Sequence, residues 1–347
     1  MSYVPPHKRH ENVALRASSV PPSLLTKHKN TKIIYANDFI SRWFLVGSED
    51  NNSFQLVPVS SEWRRESEDK PLVMLAKSES GKLEDPWLWV AEKVENDLML
   101  GFGRAKETLL RYASDDVNLR LITRFGKAVF NGSDNSSDTL RDDNVTKRVL
   151  EKLKRSFRTN VPKSYVENTV YGVVPKMGFS VEETKELYHV KVAELNALRH
   201  LIIDVSCLDQ DLDMRLSVDS KRTLTNLSEN EIKSLKELTV SAVIDPNVKG
   251  GLKWPLGKLS CGDRYSVCGV WHTVTTTYRN QTLRLQVREA DRYDFRTGIG
   301  GASREVFLKL RALSKLLKEE NVEGKCVSDM LKDCLKTVWD YFLKIQV

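Results

Sequence analysis

Apolar and polar positions alternate over short stretches along most of the chain. Residues 32–36, 39–46, 54–59 and 72–76 are runs rich in β-branched or aromatic side chains, and the polar stretches 47–52 and 60–70 separate them. Short strands with short polar connections predict an antiparallel meander. Asp85-Pro86 then predicts a helix start, with Asp at the N-cap and Pro at the first helical position. Trp87, Ala91, Val94 and Leu98 follow at helical spacing. Gly101 and Gly103 are expected to interrupt this helix before it resumes over 104–112, and residues 119–130 return to strand character.

The polar, turn-rich stretch NGSDNSSDTLRDDN at 131–144 reads as a loop or linker. Beyond it, Val145, Val149, Leu153 and Phe157 form a stripe, with Lys147, Lys152, Lys154, Arg155 and Arg158 off it, which predicts an amphipathic helix over 145–158. Ser180 and Glu183 resemble a capping box, yet Tyr188, Val190 and Val192 alternate, so a short helical turn followed by a strand is expected there. Leu212, Met214, Leu216 and Val218 alternate with Asp213, Arg215, Ser217 and Asp219, and Leu283, Leu285 and Val287 alternate with Arg284, Gln286 and Arg288. Both segments predict strands with one wet face. Ser228 and Glu231 form a capping box before Ile232, Leu235 and Leu238. Val306, Leu310, Leu313 and Leu317 predict a helix, Gly324 is expected to end that region, and Val327, Leu331, Cys334, Val338 and Phe342 predict a last helix packed on the sheet.

The pattern therefore predicts an α+β protein, largely antiparallel sheet with flanking helices and a mobile N-terminal tail. Its parts are a basic, proline-containing tail over 1–30, a mixed β-meander and helix region over 31–132 and a polar linker over 133–144. A strand-rich region over 145–347, closed by helices, completes the chain. Composition adds limits. The chain has 347 residues, 40% of them hydrophobic, with a net charge of +7. That suits a folded core. Its apolar runs fall far short of the ~20 residues a membrane helix needs, and no secretory h-region opens the chain. Five cysteines without paired spacing point to a reducing compartment, cytoplasm or nucleus.

Candidate chemistry is sparse. No Cys-x-x-Cys pair and no clustered histidines suggest a metal, and no cofactor is implied. Asp209, Asp211 and Asp213 open like a calcium loop, but Met214 and Ser220 stand where that loop needs Gly and Glu, so a turn into a strand is the plainer reading. Gly298, Gly300 and Gly301 in the run Thr297–Ser303, with Arg292, Arg296 and Arg304 nearby, fit either a phosphate-cradling turn before a helix or a flexible turn. Lys249, Lys253 and Lys258 surround Trp254, which could stack on a base while the lysines neutralise phosphates, or plug the core. No catalytic triad can be argued, and His189, His200 and His272 read as structural.

The opening YVPPHKRH, with Tyr3, Pro5, Pro6, His7, Lys8 and Arg9, resembles the Y-x-P-P-H-x-R tail near the start of some DEAD-box RNA helicases. Lys8 stands where that motif usually has Leu, and no helicase motif follows. The chain to about residue 317 resembles a plant family of uncharacterised proteins with a domain of unknown function. The carriers are KIIYA at 32, ISRWF at 40, KPLV at 70, KSYVEN at 163, VSCLD at 205, VKGGLKWPLGK at 248, VWHT at 270 and DRYDFRT at 291. That resemblance implies no activity or catalytic residue, and implies a shortening between Val192 and Glu194. The leading expectation is a non-enzymatic RNA-associated or adaptor protein, whose tail engages RNA or a proline-recognising protein. The alternatives are a phosphate-recognising enzyme, such as a phosphoesterase using the glycine run and Asp209, Asp211 or Asp213, and a scaffold that binds only protein.

Overall fold

The computed structural model describes residues 32–34, 38–46, 53–60, 71–76, 84–110, 116–131, 145–194, 199–224, 228–233, 243–244, 252–253, 260–261, 265–294, 299–319 and 323–345. The strands, in chain order, are β1 (Lys32–Ile34), β2 (Asp38–Val46), β3 (Ser53–Pro58), β4 (Leu72–Ala76), β5 (Asp116–Asn131), β6 (Val145–Thr146), β7 (Lys154–Arg158) and β8 (Ser180–Glu194). They continue with β9 (Arg199–Cys207), β10 (Asp213–Leu224), β11 (Val243–Ile244), β12 (Leu252–Lys253), β13 (Ser260–Cys261), β14 (Tyr265–Arg279), β15 (Leu283–Asp294) and β16 (Ile299–Leu310). The main helices are α1 (Pro86–Leu110), α2 (Lys163–Asn168), α3 (Arg311–Leu316) and α4 (Gly324–Val338).

Fourteen strands make one sheet, antiparallel except where β2 meets β9 and β1 meets β8. Seven of them form a ring. β5 pairs with β10, which pairs with β1, and the pairing runs on through β8, β14, β15 and β16 back to β5. The expected α+β class and largely antiparallel sheet are therefore what the chain adopts.

Alternation decides which face of the ring turns outward. Leu212, Met214, Leu216 and Val218 on or beside β10 are buried, as are Leu119, Leu121 and Phe125 on β5 and Val306, Leu308 and Leu310 on β16. These side chains share one core with Val90, Val94, Leu98 and Phe102 of α1 and Leu331, Leu335 and Val338 of α4. The apolar face thus lies outside, under helices, and the polar residues between these positions face the interior. Phe125 anchors the layer by stacking on Phe342 at 5.2 Å, and the Tyr165 hydroxyl donates to the Phe342 carbonyl at 3.1 Å.

Several expectations hold and several do not. Helix α1 begins at Pro86, and the Asp85 carbonyl accepts from the Leu88 and Trp89 amides, although the Asp85 side chain turns to the Trp87 indole at 3.1 Å. Gly101 and Gly103 do not interrupt it. A Cβ at Gly101 would come within 2.7 Å of Leu201, so that glycine lets α1 lie close on β9. The capping box at Ser228 and Glu231 forms reciprocally, at 2.8 and 3.2 Å.

The predicted helix over 145–158 is instead β6, one helical turn at Lys147–Leu150, and β7. Val149 of its stripe is exposed, and β7 satisfies the edge of β5 by pairing Phe157 with Ala128. A free strand edge outcompetes a helical period here. Residues from Ser180 are strand from the outset, with no helical turn. The helix expected from Val306 begins only at Arg311, because β16 pairs with β15 along its whole length. The glycine run likewise enters a strand and not a helix, with Gly300 opposite Tyr293 and Gly301 opposite Arg292.

Candidate anion-binding site

The ring interior is built from the alternate positions of the same strands. Register places Arg120, Ile122 and Arg124 of β5 beside Asp219, Ser217 and Arg215 of β10. On the far side, Arg284, Gln286, Arg288, Ala290 and Arg292 of β15 lie opposite Lys309, Phe307, Glu305, Ser303 and Gly301 of β16. Thr277, Thr275, Thr273 and Trp271 of β14 continue that layer. Thr273, Thr275, Thr277, Gln286, Ser303, Glu305 and Ser217 are all buried. A ring of this strand number is just wide enough for side chains and one small ligand.

Arginine dominates the interior. Arg124 donates to Ser217 at 2.6 Å and to Asp219 at 2.8 Å, a tight charge-assisted pair. Glu305 instead is shared. It lies 3.4 Å from Arg288 and 3.5 Å from Arg292, and accepts from the Thr159 hydroxyl at 3.1 Å. Burial alone would raise the Glu305 pKa. The guanidiniums of Arg288, Arg292 and Arg124, with Thr159, outweigh it and hold the carboxyl below its ordinary range. Arg288 also lies over Phe307 at 4.6 Å and Arg292 over Trp271 at 5.0 Å. Among the described residues of this face, the cations Arg120, Arg124, Arg215, Arg284, Arg288, Arg292 and Lys309 meet the carboxylates Asp204, Asp219, Glu305 and, at one end, Glu182 and Glu183, an excess of positive charge in a partly buried space.

Among the described interior atoms without a hydrogen-bond partner are the Ser303 hydroxyl and the Nε of Arg288. Beside them, Gly301 leaves a hollow, since a Cβ there would meet nothing within 4 Å. At one end of the same face, Arg284 is held by Glu182 at 2.6 Å and Glu183 at 3.0 Å.

Other polar clusters are closed on themselves. Asp204 is gripped by Arg215 at 2.6 and 3.0 Å, and Arg155 approaches it at 3.9 Å while lying over Trp43. Asp213 accepts from the backbone amides of Ala128 at 2.8 Å and Cys207 at 2.9 Å. It staples the β9–β10 turn to β5, and this is the part it plays in the D-x-D-x-D run. Lys127 donates to the Asp211 carbonyl at 3.0 Å. A cleft of about 390 Å³ lies beside that turn, lined by Asp209, Asp211, Lys127 and Met74 among others. Among the described residues no three His, Cys, Asp or Glu side chains gather as metal ligands, and no helix is long and apolar enough to cross a membrane. Burial pushes the Cys207 thiol well up and the Cys334 thiol up to about 12.

Of the residues singled out in the sequence, Tyr3, Pro5, Pro6, His7, Lys8, Arg9, Lys249, Trp254, Lys258, Arg296 and Gly298 lie outside the described residues. Lys253 is in β12, paired with Val243. Arg304 sits on the outer face of β16, and its backbone pairs with Asn160 and Val161. Gly301 is the one candidate brought into the ring interior. The sequence offers Arg292 as added charge beside the glycine run and Ser303 as the end of that run, but it does not single out Arg124, Arg288 or Glu305. The signal for those three was the alternation on β10 and β15, whose polar face at Ser217, Asp219, Gln286 and Arg288 turns into the ring rather than to bulk water.

Solved structures similar to this chain include two of one protein. The S. pombe RNA triphosphatase Pct1 is 8% identical at a TM-score of 0.42, covering 74% of this chain and 93% of its own. The same protein in complex with the Spt5 CTD is 9% identical at 0.42, with the same coverage. No curated protein sequence matches the chain. The profile of one family, described as a domain of unknown function (DUF7903), matches residues 27–194 and 192–342, two segments that meet at the end of β8. The chain therefore belongs to the DUF7903 family.

Proposed function

We propose that the protein binds phosphorylated ligands, RNA foremost, through the interior of its ring, without chemistry of its own. The observation that carries this reading is the excess of arginine over carboxylate there, with Arg288 and Arg292 sharing the single Glu305 at 3.4 and 3.5 Å. Guanidinium forks match phosphate oxygens, and burial strengthens such contacts. The basic balance of the chain, +7, favours a polyanion partner in the same sense. A phosphoesterase would need carboxylates free to work on water or metal. Asp213 spends both oxygens on backbone amides, and Asp219 and Glu305 are paired with arginine.

The test is fluorescence anisotropy of a short single-stranded RNA across a salt series. The full chain is compared with R288Q/R292Q/E305Q, which removes both cations without stranding a buried carboxylate. The expected result is steeply salt-dependent binding, weakened at least tenfold in the variant, since a hydrogen bond to a charged group is worth about 1.5–3 kcal/mol. A folded variant that binds unchanged would move the site out of the ring. Removing residues 1–30 then shows whether the tail holds the RNA.

A further inference from the structure

The half-buried arginines of this ring differ in how firmly each guanidinium is already held. Arg124 meets Asp219 at 2.8 Å and Arg215 meets Asp204 at 2.6 Å, distances of strong charge-assisted bonds. Arg288 and Arg292 reach Glu305 only at 3.4 and 3.5 Å, beyond the usual hydrogen-bond range, and each touches a different carboxylate oxygen. One monoanion is stretched between two cations. Arg292 of that loosely held pair lies opposite Gly301, where an added Cβ would meet no described atom within 4 Å. Ser303, 8% exposed and with its hydroxyl unpartnered, stands two residues on along the same face. The Nε of Arg288 is unpartnered as well.

We infer that the hollow between Gly301, Ser303 and Arg292 seats the terminal phosphomonoester of an RNA chain, which displaces Glu305 from Arg288 and Arg292. This rests on the phosphate-binding reading above and names the form of phosphate. An internal phosphodiester carries one negative charge and two esterified oxygens. A terminal phosphomonoester carries about −1.5 to −2 near neutral pH and three free oxygens. It can take both guanidiniums and the Ser303 hydroxyl at once, which Glu305 does not. The width of the ring agrees, since it admits one small group and not a threaded chain. Glu305 is then a resident counter-ion. In the empty state it neutralises part of the arginine charge, and in the bound state it competes with the ligand. It does not help to bind it.

That sign makes the inference testable. One RNA sequence, labelled at its 3′ end, is prepared with a 5′-phosphate and with a 5′-hydroxyl, and both are titrated in EDTA by anisotropy. The phosphorylated form is expected to bind at least tenfold tighter. Glu305→Gln is expected to tighten binding of that form several-fold, because the competitor is removed. Ser303→Ala, which deletes only an unpartnered hydroxyl, is expected to weaken the phosphorylated form several-fold and leave the hydroxyl form unchanged. Equal affinity for the two RNAs would overturn the inference while leaving RNA binding intact. Weaker binding in Glu305→Gln, or no binding until a divalent cation is added, would overturn it by making Glu305 a metal ligand. Failure of both RNAs to bind the wild-type chain would instead remove the reading on which it rests.

Discussion

Asp213→Ala is expected to be among the most damaging single substitutions away from the apolar core. Asp213 is 4% exposed, and its carboxylate accepts from the Ala128 amide at 2.8 Å and the Cys207 amide at 2.9 Å. Alanine leaves both buried amides without an acceptor, at about 1–3 kcal/mol each. Part of that is offset. Burial is the largest influence on Asp213 and raises its pKa despite Lys127 and the two amides, so the wild-type carboxylate carries a desolvation cost that alanine lacks. A net loss of about 3 kcal/mol follows. Spread over the unfolding entropy of a chain this long, it corresponds to a Tm lower by roughly 4–5 °C. Asp213→Asn keeps one acceptor oxygen and is expected to lose about half as much. Differential scanning calorimetry in EDTA, then with added calcium, reads both variants against wild type. The staple would be refuted by a loss below about 1 kcal/mol in Asp213→Ala. A wild-type Tm that rises with calcium would refute it too, by restoring the D-x-D-x-D run as a metal loop.

Further outcomes follow from backbone space and charge. Gly126→Ala would place a Cβ 1.8 Å from the Arg158 carbonyl oxygen, so β5 and β7 must separate and the variant is expected to be insoluble or to lose more than about 3 kcal/mol in urea titration. Gly103→Ala meets nothing within 4 Å inside α1 and is expected to gain about 0.5–1 kcal/mol in the same titration. Glu305, with a folded pKa below its unfolded one, adds stability that is fully present above the unfolded value and lost as pH falls through the folded one. The Tm gap between wild type and Glu305→Gln is therefore expected to be widest at neutral pH and to close in acid, and a gap that widens in acid would contradict the arginine assignment.

The apolar half of each strand was legible because it repeats locally. Leu212, Met214, Leu216 and Val218 announce a strand and its buried face, and Asp85-Pro86 announces where α1 starts. The misreadings fall where one spacing serves two periods. Val306 and Leu310 are four apart, which suits one turn of helix and equally the same face of a strand. Pairing with β15 decides for the strand. Val145, Val149, Leu153 and Phe157 fit a helix by themselves, yet the edge of β5 needed a partner and took Phe157 as strand. The part Asp213 plays was beyond reach for another reason, since the Ala128 amide it satisfies is 85 residues away.

The polar half of each strand was read as wet, and there the candidate site was lost. A polar face is ambiguous in a single strand, because solvent and the inside of a ring demand the same alternation. What separates them is closure, and closure here depends on β1, a strand of three residues that joins β10 on one side and β8 on the other. Once the ring is closed the same side chains obey different energetics. Arg288 on a solvated face would be an ordinary surface cation worth little to any partner. Inside, it is half-buried and shares one carboxylate, Glu305, with Arg292 at 3.4 and 3.5 Å. An arginine in that position has most to gain from an incoming anion. Arg304, on the neighbouring strand β16 and on its outer face, has its backbone tied to Asn160 and Val161 and stands outside that field. Two arginines separated by twelve residues of chain, Arg292 and Arg304, thus differ in meaning only through the parity of the strand that carries each.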